Sequence, residues 1–427
     1  MYIGIVTFLN VPPDATLDTV VPLSHQKILP PADVMSANDY FGAGTGSLGD
    51  LDGNTVVDLI VGADGYEPGT SVYTTGTVFI LFLGLDFYPA SYQQIGHDQG
   101  GFTWPLANYY QFGNSCDGMG DMDLDGVPDA VVAAQRDSTA GSYSGAVYLL
   151  YLTVTGTVKS SLKITDGVGG FTHQFDSYDI FGHSVARVND INGDSFVDLL
   201  VGKIGDDDYV DAQGAVYVLF LNPTGFLSAQ KISGLSGDFT ALLDAKYFGS
   251  GCTGLPDVDG AHKVAASARY GDLAEVYVLF LTADATVASF QEINAESPGF
   301  TAVITADGFG YNLGGGDVNG DGISDLLVGQ FDYYTSPSTS SYLIYLNREG
   351  TVRSHHRFAA DSGLLTANID YSDFGYQGRV VEDLNHDGVL DLVVSARKDD
   401  EVAYDAGAIF ILFNSPYLGI DLKLTTV

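Results

Sequence analysis

The sequence predicts an all-β fold, a β-propeller of four-stranded blades with seven blades in the ring. Three observations carry this. Phe-Gly pairs recur every 61–71 residues, aspartate-rich loops follow them about nine residues on, and β-branched and aromatic runs of strand length follow the loops. Repetition on this scale marks tandem units that cannot bury their faces alone and must stack on neighbours.

The first element of each repeat begins at Phe41, Phe112, Phe181, Phe248, Phe309 or Phe374. The Phe is read as packing between blades, and the Gly as permitting close backbone approach. The second element follows the acidic loop as a short buried run such as DLLVG. The third is the marker GTVFILFL, GAVYLLYL, GAVYVLFL or GAIFILF, with AEVYVLFL and SYLIYL as looser copies. The fourth is a short strand ending in Ile, as in YQQI, SLKI, AQKI and FQEI, with HHRF as a variant. Four strands in about 65 residues make a thin sheet with two apolar faces, and radial stacking covers both.

The N-terminal 1–40 carries IGIVTFLN and HQKI, which match the third and fourth strands with no Phe-Gly strand before them. The count is therefore six full repeats plus a partial blade, within a single domain spanning 1–427. A possible fourth strand for the last repeat is sought at LKL near Leu424.

The loops between the first and second strands place oxygen-bearing side chains at positions 1, 3, 5 and 9, with a backbone carbonyl available at position 7. The five sets are Asp50, Asp52, Asn54, Val56 and Asp58; Asp121, Asp123, Asp125, Val127 and Asp129; Asp190, Asn192, Asp194, Phe196 and Asp198; Asp317, Asn319, Asp321, Ile323 and Asp325; and Asp383, Asn385, Asp387, Val389 and Asp391. Calcium takes six to eight oxygen ligands at roughly 2.3–2.6 Å, which such a loop supplies. Turn chemistry alone accounts for Asp, Asn and Gly in a loop, but not for an Asp at position 9 in all five. About five structural Ca²⁺ ions are expected. An EF-hand is excluded because its position-12 Glu is replaced by Val61, Val132, Val201, Val328 and Val394, each within a strand run. The fourth repeat has a shortened loop with Lys263 where the last Asp belongs, so no calcium is expected there.

The net charge of −37, with 17 Lys and Arg against 54 Asp and Glu, argues against nucleic acid as a partner. Five divalent ions would bring it to −27. No apolar run reaches the roughly 18 residues of a membrane span, so no membrane insertion is expected. The start, MYIGIVTFLNVPP, lacks the pattern of a signal peptide. Cys116 and Cys252 sit at equivalent places in different repeats and are read as two buried thiols.

The Phe-Gly pair, the DxDGDGxxD-type loop and the Gly-Ala-Val-Tyr strand, recurring in order over 41–427, resemble the FG-GAP repeats of the integrin α-subunit propeller and its microbial relatives. The resemblance implies structural calcium on one face and ligand contact on the opposite face or between blades. It extends to adhesion receptors, glycosylphosphatidylinositol-cleaving phospholipases, lectins and proteins beside polysaccharide lyases. A fold shared so widely gives only associational support to any one activity.

The expected role is thus a calcium-binding adhesion or ligand-binding module, extracellular or on the cell surface, without catalysis and with a protein or glycan partner. Loop tyrosines Tyr109, Tyr110, Tyr333 and Tyr334 are candidate contacts. The first alternative is a calcium-dependent, lyase-like polysaccharide enzyme or a lectin, with Arg136, Arg269 and Arg397 near one rim. The second is a fibre subunit that polymerises through the incomplete blade. The eight histidines form no HxxxH or HExxH set, and His355 and His356 are expected to be exposed.

Overall fold

A computed structural model describes residues 21–69, 74–208, 212–241, 247–256, 262–269, 274–302, 308–331, 339–359 and 372–415. These form six four-stranded antiparallel sheets, the blades of a propeller. Blade I comprises β2 (Phe41–Gly49), β3 (Asp58–Ala63), β4 (Thr77–Leu83) and β5 (Pro89–Gly96). Blade II comprises β6 (Phe112–Gly120), β7 (Asp129–Ala134), β8 (Ala146–Leu152) and β9 (Val158–Ile164). Blade III comprises β10 (Phe181–Val188), β11 (Asp198–Lys203), β12 (Ala215–Asn222) and β13 (Gly225–Ile232). Blade IV comprises β14 (Cys252–Leu255), β15 (His262–Ala268), β16 (Glu275–Leu281) and β17 (Val287–Ile293). Blade V comprises β18 (Phe309–Gly316), β19 (Asp325–Gln330), β20 (Ser340–Leu346) and β21 (Val352–Phe358). Blade VI takes β22 (Phe374–Val381), β23 (Asp391–Ala396) and β24 (Ala408–Ser415) from the end of the chain, and its outer strand is β1 (Val21–Ile28).

With that last pairing the described residues form six blades, where seven were expected. HQKI is a fourth-type strand, as its sequence indicates, but it belongs to the sheet of β22–β24, with His25 opposite Leu412 and Ile28 opposite Ile409. The ring closes where β2 packs against β22. The half blade that suggested a fibre is, among the described residues, the completed blade VI. The stretch IGIVTFLN and the segment near Leu424 lie outside the described residues.

Composition follows position in the blade. The third strands are buried at almost every residue, so they read as unbroken apolar runs. The outer strands expose their middles, as in VKSSLKI. The inner strands are rich in Gly because they converge on the axis: a Cβ on Gly118 would stand 1.9 Å from the Ser47 carbonyl oxygen of blade I.

The Phe-Gly pairs lock neighbouring blades together. All six Phe are 0% exposed. Phe41, Phe112, Phe181 and Phe248 each bridge the Gly that opens the preceding blade's third strand, namely Gly407, Gly76, Gly145 and Gly214. At Gly145 φ is +87°, and a Cβ would lie 2.0 Å from the Phe181 carbonyl oxygen, so only Gly fits. Cys116 and Cys252 are free buried thiols, as expected. His355 and His356 are half-buried rather than exposed, because the aromatic ring of Phe300 covers His355 at 4.9 Å and Phe358 lies 4.8 Å from His356.

Candidate metal centres

Each first strand enters from the Phe-Gly end and leaves into its acidic loop, so the five loops lie together on one face, here called the loop face. Within a loop the position-1 carboxylate folds the turn. Asp50 accepts backbone N–H bonds from Gly53, Asn54 and Thr55 at 2.8–2.9 Å. Asp190 does the same from Gly193, Asp194 and Ser195, and Asp121, Asp317 and Asp383 each hold two such bonds. The position-5 side chain accepts from the N–H of position 7, as Asp194 does from Phe196 at 2.9 Å. Position-7 side chains anchor the loop in the core, fully at Val56 and Val389 and partly at Val127, Phe196 and Ile323.

Position 9 is the buried end of the site. Asp58, Asp129, Asp198, Asp325 and Asp391 are all at most 1% exposed. Asp58 accepts from the Leu51 and Leu83 N–H groups, both at 2.9 Å, and so ties the loop to the end of the third strand. Asp129, Asp198 and Asp391 repeat this pair of bonds. Among the described residues Asp325 accepts only from Leu346, at 3.1 Å, and its Oδ2 is buried without a hydrogen-bond partner.

Burial pushes these carboxyls up, against the opposing pull of their backbone donors. Asp58 and Asp129 rise to about 6, Asp198 and Asp391 to about 7, and Asp325 to about 8. Neighbouring loop aspartates add to the rise. A carboxylate in this position is stabilised by a cation.

The donor sets suit calcium. Carboxylate oxygens of Asp50, Asp52 and Asp58 lie within 4.8 Å of one another, as do those of Asp121, Asp123 and Asp129, a spacing one ion with oxygen contacts of roughly 2.3–2.6 Å can span. The unpartnered Asp325 oxygen marks the same need in blade V. In blades III, V and VI the position-3 residue is Asn192, Asn319 or Asn385, whose amide donates to Asp194, Asp321 or Asp387. Blades II and V also bring a basic side chain from the fourth strand. Lys159 lies 2.9 Å from Asp123 and pairs with Asp125, and Arg353 lies 2.6 Å from Asp321.

In blade IV, Lys263 stands opposite Leu255, the register place that Asp198 holds opposite Val188. Its ammonium lies 5.5 Å from the Phe280 ring. The shortened loop at 257–261 is outside the described residues.

The model of the FG-GAP repeat family matches residues 309–343 and 374–412. Integrin alpha-V of Gallus gallus is 29% identical over 51% of the chain, and integrin alpha-5 of Xenopus laevis 26% over 48%. The fold is a β-propeller that carries FG-GAP repeats. It resembles the propeller of the integrin α subunits. Phosphatidylinositol-glycan-specific phospholipase D of Bos taurus is 25% identical over 81% of this chain. The match spans 42% of that phospholipase and about a fifth of each of those integrins.

The opposite, Phe-Gly face of the FG-GAP propeller holds a set of residues that sequence reading did not pick out. Lys163 is buried against Asp137 at 2.7 Å, and Tyr148 donates to the same carboxylate. Lys231 pairs with Asp206 and Asp208, and Lys27 with Asp399 and Glu401. The signal was present: the Lys of the Lys-Ile marker recurs, and Asp137, Asp206 and Asp399 each fall eight residues after the last loop aspartate.

The rim arginines are held in place as well. Arg397 stacks on Tyr376 at 3.7 Å and pairs with Asp373 at 3.2 Å. Arg269 lies 4.3 Å from the Tyr311 ring and donates to Ser250. Arg136 lies 5.5 Å from the ring of Tyr143.

Proposed function

We propose that this FG-GAP propeller is a calcium-stabilised ligand-binding module that works in adhesion outside the cell or at its surface. The observation that carries the calcium part is the buried position-9 aspartate, held in every loop by backbone N–H donors and, among the described residues, hydrogen-bonded to no basic side chain. Calcium supplies charge neutralisation and fixes the loop. The protein supplies a closed set of oxygen ligands from one loop per blade, which suits a structural ion.

Ligand contact is assigned to the Phe-Gly face. Its loops carry Tyr109, Tyr178 and Tyr404, which are 48%, 59% and 65% exposed. Tyr109 and Tyr178 occupy the place where blade I has Asn38, and Asn38, Tyr109 and Tyr178 have positive φ, near 66–70°. That conformation favours Asn over a bulky residue, so neither backbone preference nor core packing accounts for tyrosine there. Tyr178 packs edge-on against Tyr143 at 5.4 Å, giving a rigid aromatic surface suited to a protein partner. Tyr333 and Tyr334 lie outside the described residues.

A binding role is favoured over a catalytic one by the rim arginines: Arg269 and Arg397, two of the three candidate bases for a lyase-like reaction, are committed to aromatic rings and hydrogen bonds, and the third, Arg136, lies over the Tyr143 ring. The test is capture of matrix proteins on an array by the calcium-loaded chain, beside its Y109A/Y178A double variant. Capture lost in the variant supports the assignment. Equal capture by both, or turnover of an acidic polysaccharide, contradicts it.

A further inference from the structure

The six inner strands surround an axial channel, and its mouth on the loop face opens into a cavity of about 370 Å³. All six blades line it, through Ser47, Asp117, Arg187, Thr253, Gly315 and Arg379 among others. Arg379 is 5% exposed and spans the channel from blade VI. Its Nη1 donates to the Leu313 carbonyl of blade V, and its Nη2 to the Val185 carbonyl of blade III at 2.7 Å. Its Nε is buried with no hydrogen-bond partner, and the facing Asp117 carboxylate stands 4.0 Å away, beyond hydrogen-bonding reach.

Hydrogen-bond accounting shows what this cavity lacks. Its acceptors are in use. Asp117 accepts from the Gly118 and Arg187 backbone N–H groups, Glu382 from the Ser47 hydroxyl, and Asp190 from its own loop. Its donors are not all in use. Besides the Arg379 Nε, Arg187 is exposed at the mouth, and no hydrogen bond of its guanidinium is found among the described residues. Three of the 17 Lys and Arg residues of the chain, Arg187, Lys263 and Arg379, line this one cavity. A buried donor left unpaired costs free energy that an incoming acceptor recovers. A planar guanidinium matches a carboxylate with two parallel hydrogen bonds.

We propose that the loop-face mouth of the channel binds a carboxylate, with Arg187 as the principal contact and Arg379 at the base of the site. The size fits one carboxylate group on a monosaccharide-sized molecule or on an acidic side chain. The net charge of −37 disfavours polyanions. This site is on the face opposite the tyrosines and does not depend on their role.

The test is calorimetric titration of the full chain, with calcium and again with EGTA. The probes are D-glucuronate and acetyl-aspartate amide, beside their neutral counterparts glucose and acetyl-asparagine amide. The expected result is one carboxylate per chain, no heat from the neutral pair, and affinity at least about tenfold weaker in R187A, the loss of a charge-assisted bond. Binding of the uronate alone identifies a small molecule as the source of the carboxylate. Binding of the aspartate derivative alone identifies an acidic side chain. Arg187 is exposed, so R187A is expected to melt like the parent and needs no rescue. Silence from both acids at millimolar concentration, or equal affinity in R187A, overturns the proposal.

Discussion

The two faces of the propeller bury their recurrent aspartates in opposite ways. On the Phe-Gly face, Asp137 is fully buried beside the Lys163 ammonium and the Tyr148 hydroxyl, and Asp206 lies beside Lys203 and Lys231. On the loop face, Asp58, Asp198 and Asp391 are equally buried, yet their hydrogen bonds come from backbone N–H groups that carry no full charge. The first set brings its cations within the chain. The second depends on a proton or a metal ion from outside. One chain thus contains both solutions to the cost of a buried carboxylate, and the contrast marks where a ligand ion belongs.

The largest expected effect separates the faces by pH. The loop-face aspartates have folded pKa values of about 6 to 8, above the ordinary carboxylate value. A raised value favours the folded state below the unfolded pKa, and that contribution is lost as pH climbs through the folded pKa. In EGTA the melting temperature is therefore expected to fall between pH 5 and pH 8. With excess calcium most of the fall is expected to vanish, since the metal replaces the proton in the loops, leaving the part due to Asp39 on the Phe-Gly face, which burial also raises to about 6. Identical pH profiles with and without calcium would erase the distinction between the faces.

Next in size is K163M, which strands the Asp137 carboxylate. Breaking a buried pair costs about 3–5 kcal/mol. Urea unfolding is expected to show that loss equally in calcium and in EGTA, because the pair lies on the face opposite the acidic loops. A loss seen only in calcium would contradict the comparison.

Smaller, and sharper, is D325N. The Asp325 Oδ2 has no donor to lose, so an amide there is expected to leave stability in EGTA unreduced. In calcium the variant forgoes one ion, worth roughly 2.7 kcal/mol at a hundredfold excess over Kd. Equal stability of D325N and parent in calcium would remove blade V from the metal sites.

Much of this fold was legible in the sequence because it repeats. Phe112 and Gly113, Asp121 to Asp129 and GAVYLLYL sit at fixed spacing, and the structure uses them as blade lock, loop and buried strand. The blade count was not legible. HQKI showed its strand type, but whether it pairs with β24 or opens a new blade depends on how the ring closes, over a separation of nearly the whole chain. The loop residues proposed as ligands could be picked out from spacing alone because each loop spans nine residues. Arg379 could not: its partners, Leu313 and Val185, come together only across the channel axis. The Lys-Asp pairs lay between these cases, with a regular offset in the sequence but partners on different strands.

The most direct test of the account is bound metal per chain, measured with melting curves before and after EGTA. About five calcium ions and a large drop in melting temperature on chelation are expected from the five loops. Little bound metal, or a melting temperature unmoved by EGTA, would reduce the loops to turns and contradict the account.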